Sequence, residues 1–155
     1  MIENIKTIIV QTRGNPVKII NEDITINSKG HSDIIDITHQ VKEKVSSSRL
    51  KTGSVLVFVP GATGSVTTME YEPGLVADMK SALERLAPRK LEYDHNLKWG
   101  DGNGHSHIRA SMLGPSLVVP FMNGQLTLGT WQQIIFIDLD TRPRSRELVV
   151  QITGE

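Results

Sequence analysis

Short runs of β-branched and aliphatic residues, each bounded by glycine, proline or asparagine, recur along this chain and predict strands. They span residues 6–12, 17–20, 33–37, 54–59, 117–121, 125–128, 131–139 and 147–153. Asn123-Gly124 between two of these runs is typical of a hairpin turn. The run from Ser54 to Val59 is almost continuously apolar, so we expect it to be buried on both faces.

Two segments have the apolar spacing of helices instead. Thr38 is placed to cap the first, which carries Val41 and Val45 on one side and ends before Gly53. The second runs from Pro73 to about Ala87, with a stripe formed by Leu75, Val76, Met79, Leu83 and Leu86. Strands thus outnumber helices by about seven to two without βαβ alternation, which predicts an α+β fold with antiparallel sheets.

Composition excludes several classes of protein. The 155 residues predict a single domain, 1–155. The net charge of zero argues against a nucleic-acid partner, and the absence of cysteine excludes thiolate nucleophiles, iron–sulfur clusters and cysteine-bound zinc. No apolar run reaches the roughly 18 residues of a membrane span, and the N-terminus lacks a signal-peptide pattern. We therefore expect a cytoplasmic protein with no membrane partner.

The most unusual segment is rich in glycine and histidine, running from Trp99 to His107. If it is extended, His105 and His107 point to the same side, whereas a helix would place them on nearly opposite sides. His95 could add a third nitrogen, and oxygen atoms are available from Asp101 and Asn103. Such a set suits a zinc-type ion or acid–base chemistry near neutral pH. The alternative is a flexible loop whose histidines cap backbone groups.

A second candidate segment, residues 60–65, follows the most apolar strand and contains Thr63. Its small and hydroxyl residues suit phosphate binding, although an ordinary strand-end turn explains them equally. Glu70 and Glu72 follow a few residues later. They are either carboxylates lining the same cleft or charges that favour the start of the second helix.

A third candidate segment carries Arg142, Arg144 and Arg146 at alternate positions. Three guanidinium groups on an extended stretch can bind phosphate oxygens, and the alternative is a solvated turn between strands.

Trp131 is a further candidate and lies between Thr130 and Gln132. Its indole either stacks on a flat ring or packs in the core.

Several of these motifs occur together, in order, in a known family. The chain resembles the YjbQ-like family, also called secondary thiamine-phosphate synthases, in four stretches, 67–75, 104–116, 128–134 and 140–146, and at Gly124. The resemblance implies a seven-stranded two-sheet β-sandwich with two helices, assembled as a homotrimer. It also implies a transferase that joins hydroxymethylpyrimidine diphosphate to thiazole phosphate and releases pyrophosphate.

The resemblance also implies roles for the candidate residues. His105, His107 and Glu70 are the catalytic candidates. The candidates for binding a small phosphorylated metabolite are Thr63, Asn103, Trp131, Arg142, Arg144 and Arg146. A divalent metal, Zn or Mg, would take its ligands from His95, Asp101, His105 and His107. Relatives carry histidine where this chain has Gly61 and Gly100, which weakens the metal site.

Two alternatives from other classes remain. One is a trimeric protein that binds a metal or a phosphorylated metabolite without turnover, using the same histidine pair and glycine-rich segment. The other is a structural trimer in which the glycine and histidine positions serve subunit packing.

Overall fold

The computed structural model describes residues 7–10, 14 and 16–155, and these form nine strands and four helices. The strands are β1 (Thr7–Val10), β2 (Val17–Ser28), β3 (Asp33–Asp36), β4 (Thr52–Phe58), β5 (Gly64–Met69), β6 (Ser116–Met122), β7 (Gln125–Leu126), β8 (Gln133–Asp138) and β9 (Arg144–Gly154). The helices are α1 (Thr38–Ser48), α2 (Pro73–Leu86), α3 (Asp94–Trp99) and α4 (Gly104–Leu113). None of the helices described is long and apolar enough to cross a membrane.

The strands form two sheets, and every pairing between described strands is antiparallel. The larger sheet has the order β1-β2-β9-β4-β6-β7, and the smaller has the order β3-β8-β5. The predicted α+β class with two antiparallel sheets is therefore confirmed. The expected counts of seven strands and two helices are too low. Among the elements that the sequence did not predict, β5 consists largely of glycine, serine and threonine, while α3 and α4 lie around the glycine-rich segment.

The core lies on both sides of β8. Ile134 and Phe136 belong to the cluster between the two sheets and α1, whereas Ile135 and Ile137 face the cluster beneath α2 and α4. All four side chains are fully buried. The smaller sheet is thus the middle layer, between the large sheet and the helices.

The expectation that the run from Ser54 to Val59 is buried on both faces is wrong. Val55 and Val57 are fully buried, but Leu56 is half-buried and Phe58 is exposed. Among the described residues, the smaller sheet and α1 cover one face of the large sheet and leave the other uncovered, so buried and more exposed side chains alternate along β4. The strand with continuous burial is β8.

The two predicted helices are confirmed, with a change at the start of α1. Thr38 is its first helical residue rather than its cap. The Thr38 hydroxyl instead accepts a hydrogen bond from the backbone N–H of Ile134, with an O–N distance of 2.8 Å, and so ties the helix to β8. At the start of α2, the Glu72 carboxylate accepts hydrogen bonds from the backbone N–H groups of Gly74 and Leu75, which favours its role in starting the helix.

Candidate functional site

The glycine- and histidine-rich segment forms a helical hairpin, not the extended strand on which the two-histidine clamp depended. α3 ends at Gly100, and α4 begins at Gly104. Gly100 and Gly102 have φ angles of 68° and 66°, a left-handed conformation that glycine adopts without steric cost. The two glycines reverse the chain and set the helices side by side.

Gly104 has a different role, because it allows α4 to approach the residue that precedes α3. A Cβ atom on Gly104 would lie 2.6 Å from Cβ of Tyr93. The backbone N–H of Gly104 donates to the side-chain oxygen of Asn96 at 2.9 Å. The hairpin is therefore packed closely and fixed by a hydrogen bond at its turn.

Because α4 is helical, His105 and His107 point to different sides. His105 is buried, with 3% of its surface exposed, and its Nε2 lies 3.3 Å from the Ser106 hydroxyl. Its Nδ1 is buried and has no hydrogen-bond partner among the described residues. Burial, followed by the positive charge of Arg109, lowers the pKa of His105 and favours the neutral imidazole.

The buried face of α4 is held by Arg109, a residue that the sequence did not single out. Its guanidinium donates to the carbonyl of Ala87 at 2.7 and 3.0 Å, to the Ser32 hydroxyl at 3.1 Å and to Glu84 at 2.7 Å. Hydrogen bonds from the backbone N–H of Arg89 and from Arg109 lower the pKa of Glu84 to about 2. Arg109 thus joins α4 to the end of α2 and to the segment before β3.

The other side of α4 carries a group that we call the histidine cluster, namely His95, Asp101 and His107. The ring centroids of His95 and His107 lie 4.5 Å apart, and Asp101 Oδ2 is 3.6 Å from Nε2 of His95. His95 and His107 line an open cavity of about 380 Å³, together with Tyr93. The structure therefore places His95 beside His107. The use of His95, His105 and His107 together as three nitrogen donors stays a prediction.

Unpartnered polar atoms mark this hairpin. Nε2 of His95 and Oδ1 of Asn103 are both buried, and neither has a hydrogen-bond partner in the part of the chain that the structure describes. Buried polar groups in proteins are nearly always satisfied, so atoms left over at a cavity indicate a missing partner such as water or a ligand.

The histidine cluster offers the donor types of a divalent metal site. The unpartnered Nε2 of His95 fits an ion, and imidazole with carboxylate suits zinc and related metals. Within the described ranges, however, no three histidine or acidic side chains converge on one point where an ion could be held. His105 points away from this group and does not serve as its ligand in this arrangement.

The arginine segment forms a second polar cluster at the end of β8. Arg146 donates to Asp138 at 2.9 and 3.0 Å and to Thr63 at 2.9 Å, while Arg144 donates to Asp140 at 2.8 Å. Both aspartates are buried. The hydrogen bonds that Arg146 donates to Asp138 raise the pKa of Arg146 against the opposing effect of burial. Burial opposes ionisation of Asp140, but hydrogen bonds from Arg144 and the Thr141 N–H outweigh it and lower its pKa.

These pairings change how the phosphate candidates are interpreted. Arg144, Arg146 and Thr63 are engaged with buried carboxylates, so they are held in place by the fold itself. Arg142 is exposed and forms no ion pair with any residue described. A Cβ on Gly61 would lie 3.5 Å from Nη1 of Arg146, so a side chain at this position would border the cluster.

The remaining candidates lie on the surface. Glu70 is exposed directly after β5. Trp131 is 70% exposed, which excludes the core alternative within this chain. Neither residue lines the cavity of the histidine cluster.

Two packed antiparallel sheets, with a histidine-bearing helical hairpin on the smaller one, define a small α+β sandwich protein with a candidate polar site. The sequence profile of the family described as "UPF0047 protein YjbQ-like" matches residues 22–155. The chain therefore belongs to the YjbQ-like, or UPF0047, family.

Individual members of the family are similar to this chain in sequence and in structure. A UPF0047 protein of Archaeoglobus fulgidus is 39% identical over 129 residues, covering 83% of this chain and 98% of that protein. One from Methanothermobacter thermautotrophicus is 35% identical over 139 residues, covering 90% and 95%. A crystal structure from Sulfolobus solfataricus, described as a protein of unknown function, has a TM-score of 0.85 at 34% identity and covers 90% of this chain and 99% of that one.

Proposed function

We propose that this protein has secondary thiamine-phosphate synthase-like activity. The reaction forms a carbon–nitrogen bond between the thiazole nitrogen and the pyrimidine methylene carbon. The carbon–oxygen bond to the diphosphate breaks, and pyrophosphate leaves with the electron pair. Such a reaction requires groups that neutralise or protonate the leaving pyrophosphate.

The observation that carries the proposal is the histidine cluster at its open cavity. His95 and His107 place two imidazoles with centroids 4.5 Å apart. Nε2 of His95 lies 3.6 Å from Asp101 and has no hydrogen-bond partner among the described residues. Imidazole is a common acid–base group in catalysis, so these side chains can donate a proton or a hydrogen bond to pyrophosphate oxygen. His107 keeps the catalytic role expected from the sequence, and His95 replaces His105 as its partner.

Two further parts of the proposal concern charge. The exposed guanidinium of Arg142 is available for a phosphate group, whereas those of Arg144 and Arg146 already bind carboxylates. No three histidine or acidic side chains of the described residues converge on one point, so His95, Asp101 and His107 would have to move closer together to hold a divalent ion. Once held, the ion would supply positive charge to the diphosphate.

The test is thiamine phosphate formation from the two phosphorylated halves by purified protein, with and without a chelator. The His95→Ala/His107→Ala double variant should lose about 100-fold or more of the rate, because it removes both acid–base groups. Asp78→Ala/Lys80→Ala, which changes two exposed side chains on α2, is the matched control and should retain full activity. Loss of activity in the presence of the chelator would show that the reaction requires a bound metal ion.

Equal rates in the wild type and the double variant would attribute the activity to a contaminant and overturn the proposal. The second candidate function is then binding of a metal or phosphorylated metabolite without turnover. The unpartnered atoms of His95 and Asn103 favour it, since they need a partner whether or not a reaction follows. Stoichiometric metal uptake that is lost in the double variant would support it.

We also propose that the chain assembles as a homotrimer through the uncovered face of the large sheet. Val118 and Met122 are 59% and 60% exposed, and Phe58 is 37% exposed. Val118 pairs with Leu56 across β6 and β4, so these apolar side chains lie on one face of the sheet. An exposed apolar group of this kind typically marks a protein–protein interface.

Light scattering of the native protein tests the assembly. We expect a mass of three times 17.2 kDa for the wild type. Val118→Asp should shift it toward 17.2 kDa, because a carboxylate would be buried at the interface without a partner. Ser47→Asp, on the exposed side of α1, should leave the mass unchanged. A wild type with the mass of one chain would contradict the trimer.

A further inference from the structure

The large sheet ends at β7, a short strand whose outer edge pairs with no other strand among those described. Asn123 and Gly124 have φ angles of 53° and 71°, so β6 and β7 are joined by a tight two-residue turn. In such a hairpin the residue that closes the turn, Gln125, bonds to the neighbouring strand through its backbone. Two positions later, the N–H of Thr127 donates to the Pro120 carbonyl at 3.0 Å. Alternate residues of this segment therefore face β6.

Leu126 and Leu128 occupy the other positions of the segment. Successive residues of an antiparallel strand point their N–H and C=O groups to opposite edges, so these two leucines direct theirs away from β6. The N–H of Leu128 forms no backbone hydrogen bond within the described ranges. Both side chains pack against the core between the sheets, which holds the segment in place. The edge of β7 thus offers ordered donors and acceptors that a further extended chain can use.

α1 lies beside this edge and turns it into one wall of a groove. Two cavities of about 430 and 480 Å³ open between the helix and the segment, and Lys42 and Leu126 line both. We call this the β7 groove, with Leu126 and Leu128 on one wall and His39, Lys42 and Ser46 on the other. The helical wall from His39 to Ser46 spans about 10 Å. An extended chain of about three residues has the same length.

The two edges of the smaller sheet are protected in ways that β7 is not. β3 begins and ends with an aspartate, Asp33 and Asp36, and charged side chains on an edge oppose pairing with other chains. At the edge of β5, the N–H of Val66 donates to the Gly114 carbonyl at 3.4 Å, so the segment after α4 already uses that edge. β7 consists of uncharged residues and has an open groove along its edge.

The charges around the β7 groove select the kind of chain that fits. Lys42 has no acidic side chain within 4 Å in the described part of the chain. His39 lies 3.6 Å from Glu43, so that carboxylate is engaged. Asp36 lines only the cavity at the other end of the groove. A carboxylate is therefore favoured beside Lys42, and an uncharged residue is favoured beside Asp36.

We propose that the β7 groove binds an extended peptide segment of a partner protein, which adds a strand to the large sheet. The backbone of the segment pairs with Leu126 and Leu128, and an acidic side chain that faces α1 pairs with Lys42. The lining of the groove shares no residue with the cavity of the histidine cluster, so this interaction does not depend on the proposed synthase reaction.

Nuclear magnetic resonance titration of the isotope-labelled full chain tests the groove. The probes are acetylated hexapeptide amides in which valine and threonine alternate and glutamate occupies each position in turn. We expect at least one peptide to shift the backbone amide signals of Leu126 and Leu128, because these groups become hydrogen-bonded, and to leave the signal of His107 in place. Absence of binding by every peptide, or binding that leaves both leucine signals unchanged, overturns the proposal.

Two N-methylated versions of the tightest peptide test the backbone pairing without altering the protein. In each version every second residue is methylated, in opposite registers. Methylation of the residues whose N–H faces β7 should abolish binding, because the methyl group removes the donor, whereas methylation in the other register should leave binding unchanged. Equal effects of the two versions would show that the peptide adds no strand, and would overturn the proposal.

Two substitutions on α1 test the acidic residue of the partner. Lys42→Met should raise the dissociation constant of the glutamate peptide about 3-fold and leave that of its glutamine version unchanged. Lys44→Met is the matched control, because Lys44 is paired with Glu22, and should bind as the wild type does. Equal affinity of the two variants for the glutamate peptide contradicts an acidic partner. Shifts of the two leucine signals with protein concentration alone would assign the groove to a second copy of the chain and overturn the proposal.

Discussion

Replacing Arg146 by methionine should lower the free energy of unfolding by about 3–5 kcal/mol, because the change leaves a buried carboxylate without its counter-charge. The Asp138 side chain is fully buried, and Arg146 is 13% exposed and donates to both of its oxygens. Arg146 also bridges to Asp140 at 3.3 Å and to Thr63 at 2.9 Å. In the variant the Asp138 oxygens keep only the hydrogen bonds from the Ser28 hydroxyl and the Asp140 N–H, with no positive charge donating to them. Urea unfolding at a fixed protein concentration measures the loss.

Arg142→Met is the control, because that side chain is exposed and has no ion-pair partner among the described residues. Its stability should stay within about 0.5 kcal/mol of the wild type. Adding Asp138→Asn to Arg146→Met should recover part of the loss, since the uncharged amide is cheaper to bury. If Arg146→Met is as stable as Arg142→Met, the guanidinium is not needed by the fold and its expected role in phosphate binding regains support.

Phe121→Ala should also lower the free energy of unfolding by about 3–5 kcal/mol, but for a different reason. Phe121 is fully buried on β6 and pairs with Gly53 of β4, which in turn pairs with Gly154 of β9. A Cβ on either glycine would lie 2.8 or 3.1 Å from Cζ of Phe121. The ring therefore fills space that two adjacent strands leave empty.

Because these glycines have no side chains that could move into the gap, the cavity left by alanine should persist. Phe121→Leu, which refills part of the volume, should lose clearly less stability than Phe121→Ala. Trp131→Ala removes a larger aromatic side chain from an exposed site and should change the free energy of unfolding by less than about 0.5 kcal/mol. Equal losses in Phe121→Ala and Trp131→Ala would show that the ring at position 121 is not packed as described.

The fold was largely predictable from local patterns. The two helices and most of the strands follow from apolar periodicity, because in these elements the buried residues are also the apolar ones. α4 breaks this relation, since its buried side carries His105, Ser106 and Arg109. Arg109 is paired with Glu84, which is 25 residues away in the chain. No local pattern carries that information, although the spacing of His105, Arg109 and Leu113 is that of one helix face.

The candidate site was predictable in its residue types but not in its grouping. The sequence singled out His95, Asp101 and His107, and the structure brings them together. The pairing of His105 with His107 depended on an extended segment, and the segment is helical. For the arginines, the alternation of Asp138 and Asp140 with Arg144 and Arg146 across a short turn was a usable signal. β8 and β9 lie in different sheets, but the turn between them brings these opposite charges into ion pairs.

The position of β9 has a consequence for biosynthesis. This strand lies between β2 and β4 in the large sheet, and its pairs with β2 run from Lys18 with Gly154 to Ser28 with Arg144. While a ribosome is still making residues 144–154, β2 and β4 lack the neighbour that joins them, and their edges stay open. Pairings over more than a hundred residues form slowly and expose unpaired strands to aggregation. The large sheet therefore closes only once residues 144–154 have been synthesised, and until then the open edges of β2 and β4 can pair with other chains.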